Sequence, residues 1–146
     1  MSQRPVTVFI AGAGGRGSTY ASYALQHPDR MKVVGVAEPR DYYRERMAET
    51  YDLSDENVFR DWKDAASRAR MADVVIIATQ DAMHADPTVA FAEQGYAILL
   101  EKPMAPTESE SRRIVQAVKK NHNMFGVCHV MRYTAYTLAL KRLLDS

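Results

Sequence analysis

An apolar, β-branched run, Pro5-Val-Thr-Val-Phe-Ile-Ala11, leads without a break into Gly12-Ala-Gly-Gly-Arg-Gly17. The chain has seven glycines, and four of them fall in those six positions. Glycine takes positive φ at no steric cost and lets two main chains approach closely, so this density marks an abrupt turn rather than a flexible tail. From residue 16 to about residue 27, Tyr20, Ala21, Ala24 and Leu25 then recur with helical spacing until Pro28 stops the pattern. A strand, a turn nearly free of side chains, and a helix form the opening of a βα unit. Few folds accommodate that opening when the strand is apolar on both faces.

The rest of the chain repeats the alternation. A second strand is expected over residues 32–38. A helix over 40–51 follows, with Tyr43, Met47, Ala48 and Tyr51 inward, then a short strand at Val58 and Phe59 and a short helix over 61–70. Residues 73–79 form the clearest strand, apolar on both faces. A helix over 85–94 tolerates Pro87 in its first turn, and Gly95 ends it before a strand over 96–100. Thr107 and Glu110 form a capping box for a helix reaching about residue 121, with Ile114, Val115 and Val118 inward. A sixth strand over 125–130 and a helix over 135–144 complete the reading. Strands buried on both faces and joined by helices imply a parallel sheet covered on both sides, with right-handed crossovers. Two βαβαβ halves make an α/β, doubly wound Rossmann sheet of strand order 3-2-1-4-5-6 the natural topology.

Composition narrows the class further. A chain of 146 residues is one domain, long enough to bury roughly 68–70% of its unfolded surface. Apolar residues at 47% and charged residues at 25% exclude a disordered or collagen-like chain. Nineteen basic against eighteen acidic side chains leave a net charge of +1, which gives no electrostatic footprint for nucleic acid or an anionic membrane. The early apolar run is far shorter than the about 20 residues that span a bilayer, and it lacks the pattern of a secretory signal. Cys128 is the single cysteine, so neither an internal disulfide nor a cysteine metal site is available. A cytoplasmic location is expected. Cys128 reads as an inert core residue.

Gly12, Gly14 and Gly17 stand in the spacing G-x-G-x-x-G, with Gly15 and Arg16 between the last two. Alone this is a weak signal, but here it follows a strand and opens a helix, the context that phosphate binding requires. The first glycine allows the tight turn. The second lets a pyrophosphate approach the backbone, the third lets helix and strand pack, and the helix N-terminus offers free N–H groups. An acid about 20 residues on should accept the adenosine ribose hydroxyls. Glu38 stands 21 positions after Gly17, at the end of the second strand. A carboxylate there repels a 2′-phosphate, which favours NAD over NADP. Arg40 keeps NADP open, because a guanidinium pairs with phosphate or stacks on adenine. Its plainer reading is a solvated arginine at a helix start.

The strand ending at Leu100 is followed by Glu101-Lys102-Pro103. Together with the glycine turn and Val36-Ala-Glu-Pro-Arg40, this resembles the glucose–fructose oxidoreductase/inositol dehydrogenase family (Gfo/Idh/MocA) over nearly the whole chain. Residues 126–133, Gly-Val-Cys-His-Val-Met-Arg-Tyr, are similar to the family's sixth strand and the arginine-containing turn after it. The resemblance implies that Lys102 is catalytic and contacts both cofactor and substrate. The residue's own position agrees, since ligands sit at the carboxyl edge of such sheets and an ammonium there stabilises charge on a substrate oxygen. The alternative is a surface lysine paired with Glu101, which the family reading also places beside the cofactor. Thr79 and Gln80 follow the fourth strand, where the chain should pass the cofactor. His84 matches a family position and either faces the cofactor or is a satisfied helix-start histidine; the family's Pro after Thr79 is absent. Arg132 either lines the substrate pocket or is an exposed or salt-bridged arginine.

Family members continue into a second α/β domain that supplies much of the substrate wall. The chain is therefore expected to be the dinucleotide-binding part of a two-domain enzyme, self-associating through the other domain and acting on a small molecule. The expected reaction is hydride transfer between a nicotinamide cofactor and a sugar, polyol or similar hydroxy compound. A glycoside-cleaving enzyme that uses NAD transiently, and a nucleotide-binding module without chemistry, remain open at this point.

Overall fold

The computed structural model describes residues 4–146. Strand β1 (Val6–Ala11) lies at the centre, between β2 (Met31–Ala37) and β4 (Val74–Ile77). β3 (Val58–Phe59) pairs outside β2, β5 (Ala97–Glu101) outside β4, and β6 (Phe125–Cys128) outside β5. All five pairings are parallel, and the order is β3-β2-β1-β4-β5-β6, the doubly wound Rossmann sheet expected.

The two-residue period of the strands divides the core. Val8 and Ile10 of β1 face one side, where they pack with Val33, Val36, Ile76 and Met47. That side is covered by α1 (Gly15–Ala21), α2 (Tyr23–Gln26) and α3 (Asp41–Thr50). Phe9 and Ala11 face the other side, with Val75, Ile77, Ile98 and Leu100. α4 (Trp62–Ala66), α5 (Ala85–Glu93) and α6 (Glu108–Lys120) cover it through Ala65, Phe91 and Ile114. Phe91 is fully buried, 5.8 Å from the Phe9 ring and 5.2 Å, edge-on, from the Tyr96 ring. Truncating such a residue to alanine costs about 3–5 kcal/mol. α7 (Ala135–Leu144) is different: Tyr136, Leu138, Leu140, Leu143 and Leu144 are all exposed on it. No helix among the described residues is long and apolar enough to cross a membrane.

Several expected boundaries are corrected. The single helix over 16–27 is two helices with a break at Ser22, whose hydroxyl bonds to the Thr19 carbonyl at 2.8 Å. The Leu25 N–H then turns to the Ser22 carbonyl in a tighter i→i+3 bond. Local hydroxyl-to-backbone bonds of this kind bend helices. The turn leaves Leu25 exposed rather than inward. The helix over 61–70 is only Trp62–Ala66, capped by Asp61 on the Lys63 N–H and ended where the Ser67 hydroxyl takes the Asp64 carbonyl. The sixth strand stops at Cys128 because the His129 N–H bonds back to the Val127 carbonyl, a three-residue turn. On α6, Ile114 is buried and Val118 half-buried, but Val115 is exposed. Thr107 accepts from the Glu110 N–H, while the Glu110 carboxylate accepts from the Thr107 hydroxyl instead of completing the box.

Candidate functional site

The carboxyl edge of the sheet gathers the loops after β1, β2, β4 and β5. In the first loop, Gly12 has φ +94°, and a Cβ there would lie 2.5 Å from the Ala78 carbonyl oxygen. A Cβ on Gly17 would lie 1.9 Å from the Gly12 carbonyl oxygen. These two glycines let β1, α1 and the loop after β4 touch. Gly14 and Gly15 are different. A Cβ on Gly14 would meet only the Arg40 guanidinium, at 3.2 Å, and one on Gly15 would meet nothing within 4 Å. The turn therefore presents bare backbone at Gly14 and Gly15, with only the Arg40 guanidinium over Gly14, beside the first-turn N–H groups of α1, which lack intrahelical acceptors.

Glu38 follows β2 directly and is buried. One carboxylate oxygen, Oε2, accepts from the Ala13 N–H at 2.9 Å and from Arg40 Nη2 at 3.0 Å. The other accepts from Arg40 Nε at 2.7 Å and the Arg40 N–H at 3.1 Å. Burial alone would push this carboxyl up; the Arg40 bonds and the Ala13 N–H outweigh it and hold the group below the usual carboxylate range. The Arg40 guanidinium also lies over the Tyr43 ring, 4.1 Å from its centroid. Behind the loop the buried Arg44 donates to the Glu38 carbonyl at 2.9 Å and pairs with Asp41.

A cleft of about 410 Å³ opens here, lined by Gly12, Glu38, Arg40, Thr79, Gln80 and Met83 among others. A smaller recess of about 160 Å³ shares Gly12, Pro39, Thr79 and Met83 with it and runs to Arg60, Asp61, Trp62 and Lys63. Pro39, Met83 and the residues around Trp62 line these hollows and were not singled out from the sequence. The single tryptophan beside a loop aimed at the same sheet edge was the available signal.

At β5 the buried Glu101 accepts from Arg16 Nε at 2.6 Å, from the Tyr20 hydroxyl at 2.5 Å and from the Lys102 N–H at 2.7 Å. Burial again pushes the carboxyl up, and these three donors together bring it below its ordinary range. Arg16 thus reaches across to β5 instead of standing free at the glycine turn. Lys102 is exposed, and its ammonium pairs with no acid among the described residues; the expected alternative of a Lys102–Glu101 ion pair is overturned, because Arg16 holds that carboxylate. The Lys102–Pro103 bond is cis.

Of the two readings of His84, the structure favours the satisfied helix-start histidine. It is fully buried and does not line the cleft. Its Nδ1 lies 2.7 Å from the Pro103 carbonyl and its Nε2 3.2 Å from the Thr79 carbonyl, so the ring is wedged between the loop after β4 and the loop after β5. Arg132 sits on the exposed turn Val130–Tyr133 after β6, without an ion-pair partner among the described residues and away from the cleft lining. Cys128 is buried beside Tyr20, and that burial pushes its thiol up, the opposite of activation.

Comparison with known proteins agrees with this fold. The family model described as "Oxidoreductase family, NAD-binding Rossmann fold" (GFO_IDH_MocA) matches residues 6–129. Inositol 2-dehydrogenase of Streptomyces avermitilis is 30% identical over 140 residues, covering 95% of this chain and 40% of that protein. Levoglucosan dehydrogenase of Pseudarthrobacter phenanthrenivorans is 33% identical over 90 residues, which is 62% of this chain and 23% of that one. In structure, the WlbA dehydrogenase from Bordetella pertussis, solved with NADH and UDP-GlcNAcA, superposes with a TM-score of 0.87 at 20% identity, over 99% of this chain and 42% of its own. The chain spans about two fifths of the length of the inositol 2-dehydrogenases it matches.

Proposed function

Because the chain belongs to the Gfo/Idh/MocA oxidoreductase family with its NAD-binding Rossmann fold, we propose that it is the cofactor-binding part of an enzyme that moves hydride between NAD(H) and a hydroxyl carbon of a sugar, polyol or similar compound. The observation that carries this reading is Glu38, a buried carboxylate fixed by the Ala13 N–H in the lining of a cleft that Gly12 also lines. The residues fit a dinucleotide: no side chain stands over Gly15, only the half-exposed Arg40 guanidinium stands over Gly14, and an acid follows β2.

A bound nicotinamide cofactor would supply or accept the hydride. The chain's own residues do the rest. The N–H groups at the start of α1 receive a pyrophosphate, and Glu38 accepts from ribose hydroxyls and disfavours a 2′-phosphate. Thr79, Gln80 and Met83 line the cleft. Lys102, exposed and unpaired at the end of β5, donates to a substrate oxygen and stabilises the charge that grows there. Glu101, Arg16 and Tyr20 hold the main chain that carries Lys102.

The exposed apolar α7 supports a further α/β domain that packs there, completes the substrate wall and joins copies of the protein. A lone buried thiol suits a cytoplasmic setting. Titration calorimetry with NADH and NADPH tests the proposal: NADH binds, and NADPH binds more weakly. Glu38→Ala reduces or reverses that preference. In a form that turns over substrate, Lys102→Ala lowers kcat and kcat/KM together by about 10²–10³. Absence of NADH binding, or tighter binding of NADPH, would sink the assignment.

A further inference from the structure

Glu38 has no free acceptor position. A carboxylate offers about four lone-pair sites, and here four donors use them: the Ala13 N–H, the Arg40 N–H, Arg40 Nε and Arg40 Nη2. Two of these donors are main-chain groups fixed by the loop. The other two belong to a side chain that is itself half exposed, at 55%. The same guanidinium reaches the glycine turn, since its Nη2 lies 3.2 Å from where a Cβ of Gly14 would sit. One side chain therefore occupies both the acid that would hold a ribose and the space over the second glycine. It rests there on the face of Tyr43.

We propose that Arg40 is an internal competitor for the adenosine-ribose position, a specificity-determining side chain that a dinucleotide must displace from Glu38 before its ribose hydroxyls can be held. The proposal rests on the reading of the cleft as a dinucleotide site. It adds that the donors offered to Glu38 are exchanged on binding, guanidinium for hydroxyl, so that affinity measures the difference between the two. The main-chain donors of Ala13 and Arg40 stay in place throughout, which keeps the carboxylate aimed. A ligand without an adenosine 2′-hydroxyl regains less on displacing the fork and is discriminated against.

The charge and the fork of Arg40 act in opposite directions. Its positive charge attracts a pyrophosphate, while its planar fork blocks the carboxylate. Arg40→Lys separates them, because an ammonium keeps the charge but cannot fill two acceptor positions in the same plane. Titration calorimetry on the full chain with NADH and with its 2′-deoxyadenosine analogue gives the readout. Arg40→Lys is expected to bind NADH about two- to fivefold more tightly than wild type, the range of a partly exposed ion pair of this kind. The analogue gains less than NADH. Unchanged or weaker NADH binding by Arg40→Lys overturns the proposal while leaving the site assignment intact. Binding of NADH by no form of the protein overturns both.

A second measurement does not depend on a variant. The Arg40 Nε–H, bonded to Glu38, is expected to exchange slowly with solvent in the free protein and to lose that protection when NADH is added. Retention of its protection in the complex contradicts displacement.

Discussion

Gly17→Ala adds one methyl group at the most crowded point of the candidate site. Its Cβ would lie 1.9 Å from the Gly12 carbonyl oxygen and 3.3 Å from an Ile10 methyl. Relief to an ordinary contact requires a shift of more than an ångström, and neither side is free to give it. Gly12 is pinned by its N–H bond to the Ala37 carbonyl at 2.8 Å and by the Ala78 main chain behind it. α1 is pinned by Ala21, which has no exposed surface. Overpacking costs about 1–3 kcal/mol and more where backbone must move, against about 1 kcal/mol of helix propensity regained from losing a glycine. The expected net loss is about 2 kcal/mol, a fall in Tm of about 6 °C for a chain of this size. Gly15→Ala is the matched control, with nothing within 4 Å of its Cβ. It should be as stable as wild type or about 0.5 kcal/mol more so. Urea denaturation at constant m, with calorimetric Tm alongside, compares the two. A difference below about 0.5 kcal/mol between the variants would refute the packing argument.

Two further outcomes follow from titrating groups. The Glu101 carboxyl is held below its ordinary range in the fold, so the ionised form contributes stability above about pH 4.3, and that contribution is lost as pH falls through the folded value. Glu101→Gln is accordingly less stable at pH 7 and shows a shallower decline of Tm between pH 5 and pH 3 than wild type; parallel declines would contradict the pairing with Tyr20 and Arg16. Cys128, buried with its thiol pushed up, reacts with an aromatic disulfide reagent at pH 7 only as fast as the protein unfolds, and reaction at the rate of a free thiol would show an open β6 edge.

The sheet was legible because its strands are apolar on both faces, so each announces itself without help from its neighbours. Residues 73–79 and 5–11 are the clear cases, and the strand order follows once helices alternate with them. Glu38 was legible because its spacing from Gly17 and its place at the end of a strand are both properties of the linear chain. What the sequence hid lies in side chains that meet across it. Arg16 and Glu101 are 85 positions apart, and nothing local in either says that the arginine leaves the glycine turn for β5. His84 was ambiguous for the same reason, since its decisive partner is the Pro103 carbonyl, 19 residues away. The break at Ser22 arises from a hydroxyl choosing a nearby carbonyl, which a hydrophobic pattern does not record. Leu25 then falls on the wrong side of a helix that is no longer continuous.

The buried polar side chains among the described residues are Glu38, Arg44, His84, Thr88 and Glu101. Each stands at the carboxyl end of β2, β4 or β5, or in the first turn of the helix that leaves such a strand. At the opposite edge the comparable pair, Arg4 on Asp73, joins an exposed arginine to an aspartate that is only half-buried. Folding energetics alone do not ask for this asymmetry, since replacing a buried ion pair with well-packed apolar residues is often neutral or stabilising by about 1–4 kcal/mol. The bonds these groups make supply the reason. Arg44 fastens the Glu38 and Pro39 carbonyls, and His84, bonded through its own carbonyl to the Thr88 hydroxyl, lies between those of Thr79 and Pro103, within hydrogen-bond distance of both. Glu101 fastens the Lys102 N–H. The polar interior is thus a second layer behind the loops that bear Glu38, Thr79 and Lys102. A site that must hold a flexible, charged ligand in register needs that support more than the sheet does.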